Sequence, residues 1–145
     1  MPPAILVPAQ LHSWQSHEAP AAASVIESLT QSCPFALPPE YIELLRITNG
    51  GEGELTIDPW WFQLWPAQEV SIYNDGYKVA EFHPGFWGFG SSGGGVMLAF
   101  KISQASQSAV FGVPLDSIDQ ADTYVIAQDM RTFLFALGKS SVREA

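Results

Sequence analysis

The sequence predicts a single α+β domain, with helices towards both ends of the chain and antiparallel strands between them. Helical spacing appears after Pro20 and again before Gly138, while "FWGFG", "VMLAFKI" and "SAVFGVP" follow one another as consecutive strands. Eleven prolines and twelve glycines in 145 residues supply the many turns such an order requires. With 47% hydrophobic and 14% charged residues, the chain has a globular rather than a disordered composition.

Residues 1–20 are rich in Pro and Ala and read as an irregular N-terminal arm, with the domain proper spanning 21–145. From Ala21, Ala22, Val25, Ile26, Leu29 and Cys33 recur at helical spacing, and Pro20 stands where a helix start tolerates its missing N–H. A second helix is expected in "LPPEYIELLRITNGG", with Glu40 and Glu43 near its positive end and Tyr41, Leu44, Leu45 and Thr48 on one face. Asn49, Gly50 and Gly51 are expected to stop it through a left-handed cap. "ELTIDPWWFQLW" then alternates as one strand, provided Asp58-Pro59 leaves the register unshifted. Pro66 opens a short helix ending in an Asn74-Asp75-Gly76 turn. After the three strands, a last helix begins at Asp129 as N-cap and puts Phe133, Leu134 and Leu137 on the core.

The net charge is −9, with no Lys or Arg before Arg46 and none between Lys101 and Arg131. Such a surface repels phosphate backbones, so direct binding to nucleic acid is not expected and a basic partner is favoured. The one cysteine, Cys33, excludes an internal disulfide and suits a cytoplasmic location; it is read as part of the helix's buried face. "MPPAILVPAQ" lacks the charged start and unbroken apolar run of a signal or anchor, and no stretch approaches a membrane span.

"GFGSSG", Gly88 to Gly93, matches the phosphate-cradling pattern G-x-G-x-x-G. Its context does not. A dinucleotide site needs a helix opening at the third glycine, whereas Val96, Leu98, Phe100 and Ile102 alternate as a strand. The lysine, H-R-D and D-F-G partners of a kinase loop are missing too. Gly90, Gly93, Gly94 and Gly95 are therefore expected to shape a hairpin turn. His12, His17 and His83 make no metal-ligand spacing, no G-x-S-x-G nucleophile elbow is present, and acid pairs such as Glu52/Glu54 and Asp116/Asp119 suit a solvated surface. Neither a catalytic set, a metal site nor a cofactor is expected. The aromatic cluster is more informative. Trp60, Trp61, Phe62 and Trp65 lie beside Glu52, Glu54 and Asp58, either as a two-sided core or with one or two tryptophans left exposed as anchors for a partner.

The order of these motifs resembles the SUKH superfamily, which takes in Smi/Knr-type regulators of yeast cell-wall synthesis and many bacterial immunity proteins. The resemblance runs over residues 21–138, most specifically Leu37-Pro38 through Tyr41 to Gly51 and the Gly90–Gly95 turn with its following strand. It implies a curved, mainly antiparallel sheet with helices packed on it, and no shared catalytic centre. Members often carry an acid in the glycine turn, where this chain has Ser91-Ser92. The expected function is that of a non-catalytic, cytoplasmic immunity protein, a monomer or weak homo-oligomer, covering the active site of a toxin domain such as a nuclease. The alternative is a housekeeping scaffold or regulator of the same fold, and behind it a small-ligand binder or enzyme using the aromatic and glycine-rich surface. The residues expected to meet a partner are Glu52, Glu54, Asp58, Trp60, Trp61, Trp65 and Asp75.

Overall fold

The computed structural model describes residues 11, 13–117 and 119–138. Among them, five α-helices accompany one open antiparallel sheet whose seven strands pair in chain order, β1 to β7. The strands are β1 (Ser16–His17), β2 (Gly51–Glu54), β3 (Trp61–Leu64), β4 (Phe86–Ser91), β5 (Val96–Lys101), β6 (Val110–Pro114) and β7 (Tyr124–Ala127). Each strand lies beside the one it follows, even where two helices intervene, as between β1 and β2 and between β3 and β4. Register shifts at Gly88/Gly90 and at Val110/Phe111 bend the sheet.

The first two helices follow from their apolar stripes. α1 (Ala23–Ser32) buries Ile26 and Leu29, and leaves Cys33 half-buried just beyond its end. α2 (Pro39–Ile47) takes Pro39 in its first turn and buries Tyr41, Leu44 and Leu45. Tyr41 packs against Phe89 and Phe100 at 5.4 and 5.6 Å, while Phe133 of the last helix, α5 (Met130–Ala136), meets Phe89 at 5.9 Å. One face of β4 and β5 is thus covered by α2 and α5. α5 (Met130–Ala136) starts where expected, the Asp129 carboxylate accepting the Thr132 N–H at 2.7 Å. That backbone bond holds the Asp129 carboxyl below its ordinary range.

α2 ends differently from expectation. Thr48 is extended, and the positive φ values fall later, at Gly50 (+101°) and Gly51 (+133°). These glycines serve close approach: a Cβ on Gly50 would stand 2.9 Å from the Leu64 carbonyl, and one on Gly51 2.8 Å from that of Ser16. Asn49 caps the next helix instead. Its Oδ1 accepts the Ala67 N–H at 2.7 Å, a bond the N-cap Pro66 does not provide.

The stretch read as one strand is two. β2 and β3 form a hairpin around a turn at Ile57–Trp60 that contains the cis Asp58-Pro59 bond. Helix α3 (Ala67–Gly76) runs through Asn74-Asp75-Gly76, which was expected to be a turn, and a short α4 (Val79–Phe82) follows. Asn74 has a reason to be helical. The backbone contact with β4 ends at Trp65, whose N–H donates to the Phe89 carbonyl at 3.1 Å, and the Asn74 side chain then takes the place of a paired strand. It accepts the Gly88 N–H and donates to the Gly88 carbonyl, both at 2.9 Å.

The segment 11–20 is tied in at several points. Ser16 and His17 pair with Glu52 and Gly51, the Glu18 N–H donates to Thr48 Oγ1 at 2.8 Å, and Leu11 and Trp14 are buried. Trp14 lies across Gly51 and Gly53, reaches Gly138, and meets Phe62 edge-on at 4.8 Å.

Candidate partner-binding surface

The tip of the β2–β3 hairpin presents the most exposed tryptophan. Trp60 N–H donates to the Ile57 carbonyl at 2.7 Å, and the Trp60 carbonyl accepts the Leu55 N–H at 3.0 Å. The turn is anchored from outside as well. Leu55 bridges to Leu137, the Thr56 N–H donates to the Ala136 carbonyl at 3.2 Å, and the Tyr124 hydroxyl donates to Asp58 Oδ1 at 2.9 Å. Tyr124 lies over Gly112, where any Cβ would meet its ring at 2.6 Å. Burial, with the Asp58 carboxylate adding to it, raises the Tyr124 phenol well above its ordinary range. Trp60 itself has φ +75°, a region costly for a bulky side chain, and its side chain is 58% exposed. α5 and β7, which hold the turn, also expose Phe135 and Val125.

The other expected residues are distributed around this tip. Glu54, across from Trp61 in the β2–β3 register, is exposed, and Asp58 is exposed at the turn. Trp61 is half-buried, and its indole lies beside Gly93. Trp65 is buried at 6% exposure, covered by Tyr73 of α3 and by Tyr77 just past its end, so the tyrosines rather than the tryptophan face solvent there. Asp75 is exposed on α3. Trp60 and Trp65 lie at the two ends of β3 and share no patch along the strand.

Glu52 belongs to a polar row that crosses three strands. Gln63 Nε2 donates to Glu52 Oε1 at 2.8 Å, and the Ser91 hydroxyl contacts Gln63 Oε1 at 3.3 Å. Glu52 and Gln63 also line an open cleft of about 380 Å³ with Glu18, Asn49 and Gln68. Two carboxylates among amides suit a cation and disfavour a phosphate.

The glycine stretch holds no phosphate-site geometry. Gly88 and Gly90 lie inside β4, where a Cβ would strike Met97 Sδ at 2.4 Å and the Gln63 carbonyl at 2.7 Å. Only Gly93 in this stretch has positive φ (+78°); Gly94 and Gly95 complete the turn without it. The hydroxyls of Ser91 and Ser92 already accept the N–H groups of Gly93, Gly94 and Val96. The donors a phosphate would use are therefore engaged within the turn. A strand follows, as the alternation predicts.

No group of His, Cys, Asp and Glu suited to a metal occurs among the described residues; His12 lies outside them. His83 is buried, and burial lowers its pKa. Burial pushes the Cys33 thiol up to about 11, against a smaller opposing effect of a backbone hydrogen bond at Phe35, which leaves it a protonated, poorly nucleophilic group. No described helix is long and apolar enough to cross a membrane.

The family model described as the SMI1 / KNR4 family (SUKH-1) matches residues 20–136. The chain belongs to this family. No curated protein matches it. Within the SMI1/KNR4 match lie all the elements from α1 through α5, with the Trp60 turn, the glycine hairpin, Tyr73 and Tyr77. Trp14 and β1 precede it, although Trp14 packs into the same core and β1 pairs with β2. The sequence singled out Trp60 as a candidate and the fold leaves it exposed; Tyr73 and Tyr77, also exposed, were not singled out. Their i, i+4 spacing on the helix after Pro66 was the available signal.

Proposed function

We propose that this SMI1/KNR4-family chain is a non-catalytic immunity protein that binds a basic toxin domain in the cytoplasm and covers its active site. The observation that carries the reading is Trp60, a large aromatic side chain displayed to solvent on a turn that four backbone and side-chain hydrogen bonds and the Leu55–Leu137 bridge hold in place. An exposed anchor that is already ordered loses little conformational entropy on binding, and tryptophan is enriched among residues that dominate interfaces. Glu54 and Asp58 flank it on a molecule of net charge −9, so long-range attraction would guide a cationic partner to the tip. Blocking would be steric and needs no cofactor. A nuclease, whose own groove is built for phosphate, has the complementary charge.

The test is co-expression with toxin domains encoded beside the gene. Growth should be restored and a complex should co-purify. Trp60→Ala should weaken that complex by about 2 kcal/mol, roughly 30-fold, and leave the thermal midpoint nearly unchanged, because the side chain is exposed. Absence of both rescue and complex would refute the immunity reading. A complex indifferent to Trp60→Ala would refute the anchoring mechanism.

A further inference from the structure

At the far end of β3, roughly 17 Å from Trp60 along the strand direction, a second aromatic surface begins. The helical period brings Glu69, Ile72, Tyr73 and Gly76 to one side of α3, away from the buried Ala67, and Tyr77 follows just past the helix end on the Val70 edge of that side. Ile72 is 65% exposed, Tyr77 42% and Tyr73 37%. The rings of Trp65, Tyr73 and Tyr77 have centroids 4.6, 6.1 and 6.2 Å apart, with planes within 32° of one another. Three rings in a column would put the outer pair at about twice the inner spacing. The observed triangle instead describes two tyrosines tiled over one tryptophan, an aromatic platform with tyrosine surface left in solvent. Its floor is fixed, since Gly88 leaves room for Trp65 Cζ3 only 3.2 Å from where a Cβ would be.

Charge decides what suits this platform. Glu69 stands one turn before Tyr73, and its negative charge is the main cause of that phenol's raised pKa. Asp75 and Glu81 are exposed nearby in sequence, against the single cation Lys78. A phosphate would be repelled here. A guanidinium is planar, stacks on aromatic faces and donates in a fork to carboxylates, which a compact ammonium does less well.

We propose that this face of α3 is a second docking surface, one that takes arginine side chains of a basic protein partner. It rests on the reading of the chain as a binder of basic proteins, but it uses a different element from the Trp60 turn.

Oligoarginine and oligolysine peptides of equal length are the probes, with backbone amide NMR and tryptophan fluorescence as readouts. Oligoarginine should perturb residues 69–77 and bind about fivefold tighter than oligolysine. That preference should survive added salt, which screens the net charge common to both peptides. Tyr73→Leu/Tyr77→Leu keeps Trp65 covered and should abolish the preference, weakening oligoarginine by about five- to tenfold; Trp60→Ala should retain it. Should the double variant not fold, Glu69→Gln and the map on the unaltered chain decide the same point. Equal affinity for both peptides, a map centred on residues 52–58, or an oligosaccharide engaging α3 without any arginine response would each overturn the proposal. A toxin complex that forms yet tolerates the Tyr73/Tyr77 variant overturns it while sparing the proposed function. An arginine preference mapped to α3 upholds it even where no toxin is bound.

Discussion

Replacing Trp14 by alanine tests whether the segment before the family match belongs to the folding unit. The indole is 6% exposed and lies in a slot made by three glycines from distant parts of the chain. A Cβ on Gly51 would stand 2.9 Å from its ring and one on Gly138 2.2 Å, while Gly53 passes beneath its backbone at 3.2 Å. Truncating a buried tryptophan costs about 3–5 kcal/mol. The indole Nε1 finds no hydrogen-bond partner among the described residues, so removing it also relieves an unsatisfied group. That offset is about 1–3 kcal/mol and sets the net loss nearer 2–3 kcal/mol. With a urea m-value of about 1–3 kcal/mol per M, the midpoint of unfolding should fall by about 1 M or more. Gly138→Ala adds a sharper test. In the intact chain its methyl collides with Trp14 and is strained at φ +77°. In the Trp14→Ala background the ring collision is gone, leaving the strain of about 1–2 kcal/mol and the approach to the Ser13 hydroxyl, 2.6 Å from that Cβ. The two substitutions should therefore couple, the pair costing at least about 1 kcal/mol less than the sum of the singles. Urea melts of the four proteins measure this. A Trp14→Ala loss under about 1 kcal/mol, or strict additivity, would refute the slot.

Other consequences follow from single contacts. Asn74→Ala strips both bonds from the buried Gly88 peptide groups and should cost about 1–3 kcal/mol in a urea melt, with Asn74→Asp also destabilising because a carboxylate faces the Gly88 carbonyl. Gly76→Ala should stabilise by about 0.5–1 kcal/mol, since its Cβ would meet nothing within 4 Å and alanine is the better helix former. His83 is held neutral below its ordinary pKa by burial, while the unfolded chain takes up its proton near pH 6.5. Its contribution is thus intact above about pH 6.5 and declines as the pH falls towards the folded pKa; thermal melts of His83→Gln should lack that part of the decline. Cys33 should react with thiol reagents at pH 7 far more slowly than a free cysteine, and mass spectrometry of the labelled native protein measures it.

Where the information was local, the sequence was legible. The prolines ahead of α2, Pro66 ahead of α3, the Asp129 cap and the serine-glycine turn between β4 and β5 act within a few residues of the features they set. The apolar stripe of α2 likewise named Tyr41, Leu44 and Leu45 as core. The β2 segment was illegible because "GEGE" has almost no strand propensity of its own. It becomes a strand because Trp14 needs its glycines, Ser16 and His17 pair with one edge, and β3 pairs with the other. Asn49 and Asn74 read as helix breakers, yet each satisfies peptide groups of an element many residues away, which no local pattern encodes. The tryptophans show the same division. Sequence identified the cluster "WWFQLW" as either core or interface. Only the tertiary structure separated an exposed Trp60, held by α5 and β7, from a buried Trp65 roofed by Tyr73 and Tyr77. Burial is set by whatever arrives from elsewhere in the chain, and that is a property of the assembled fold.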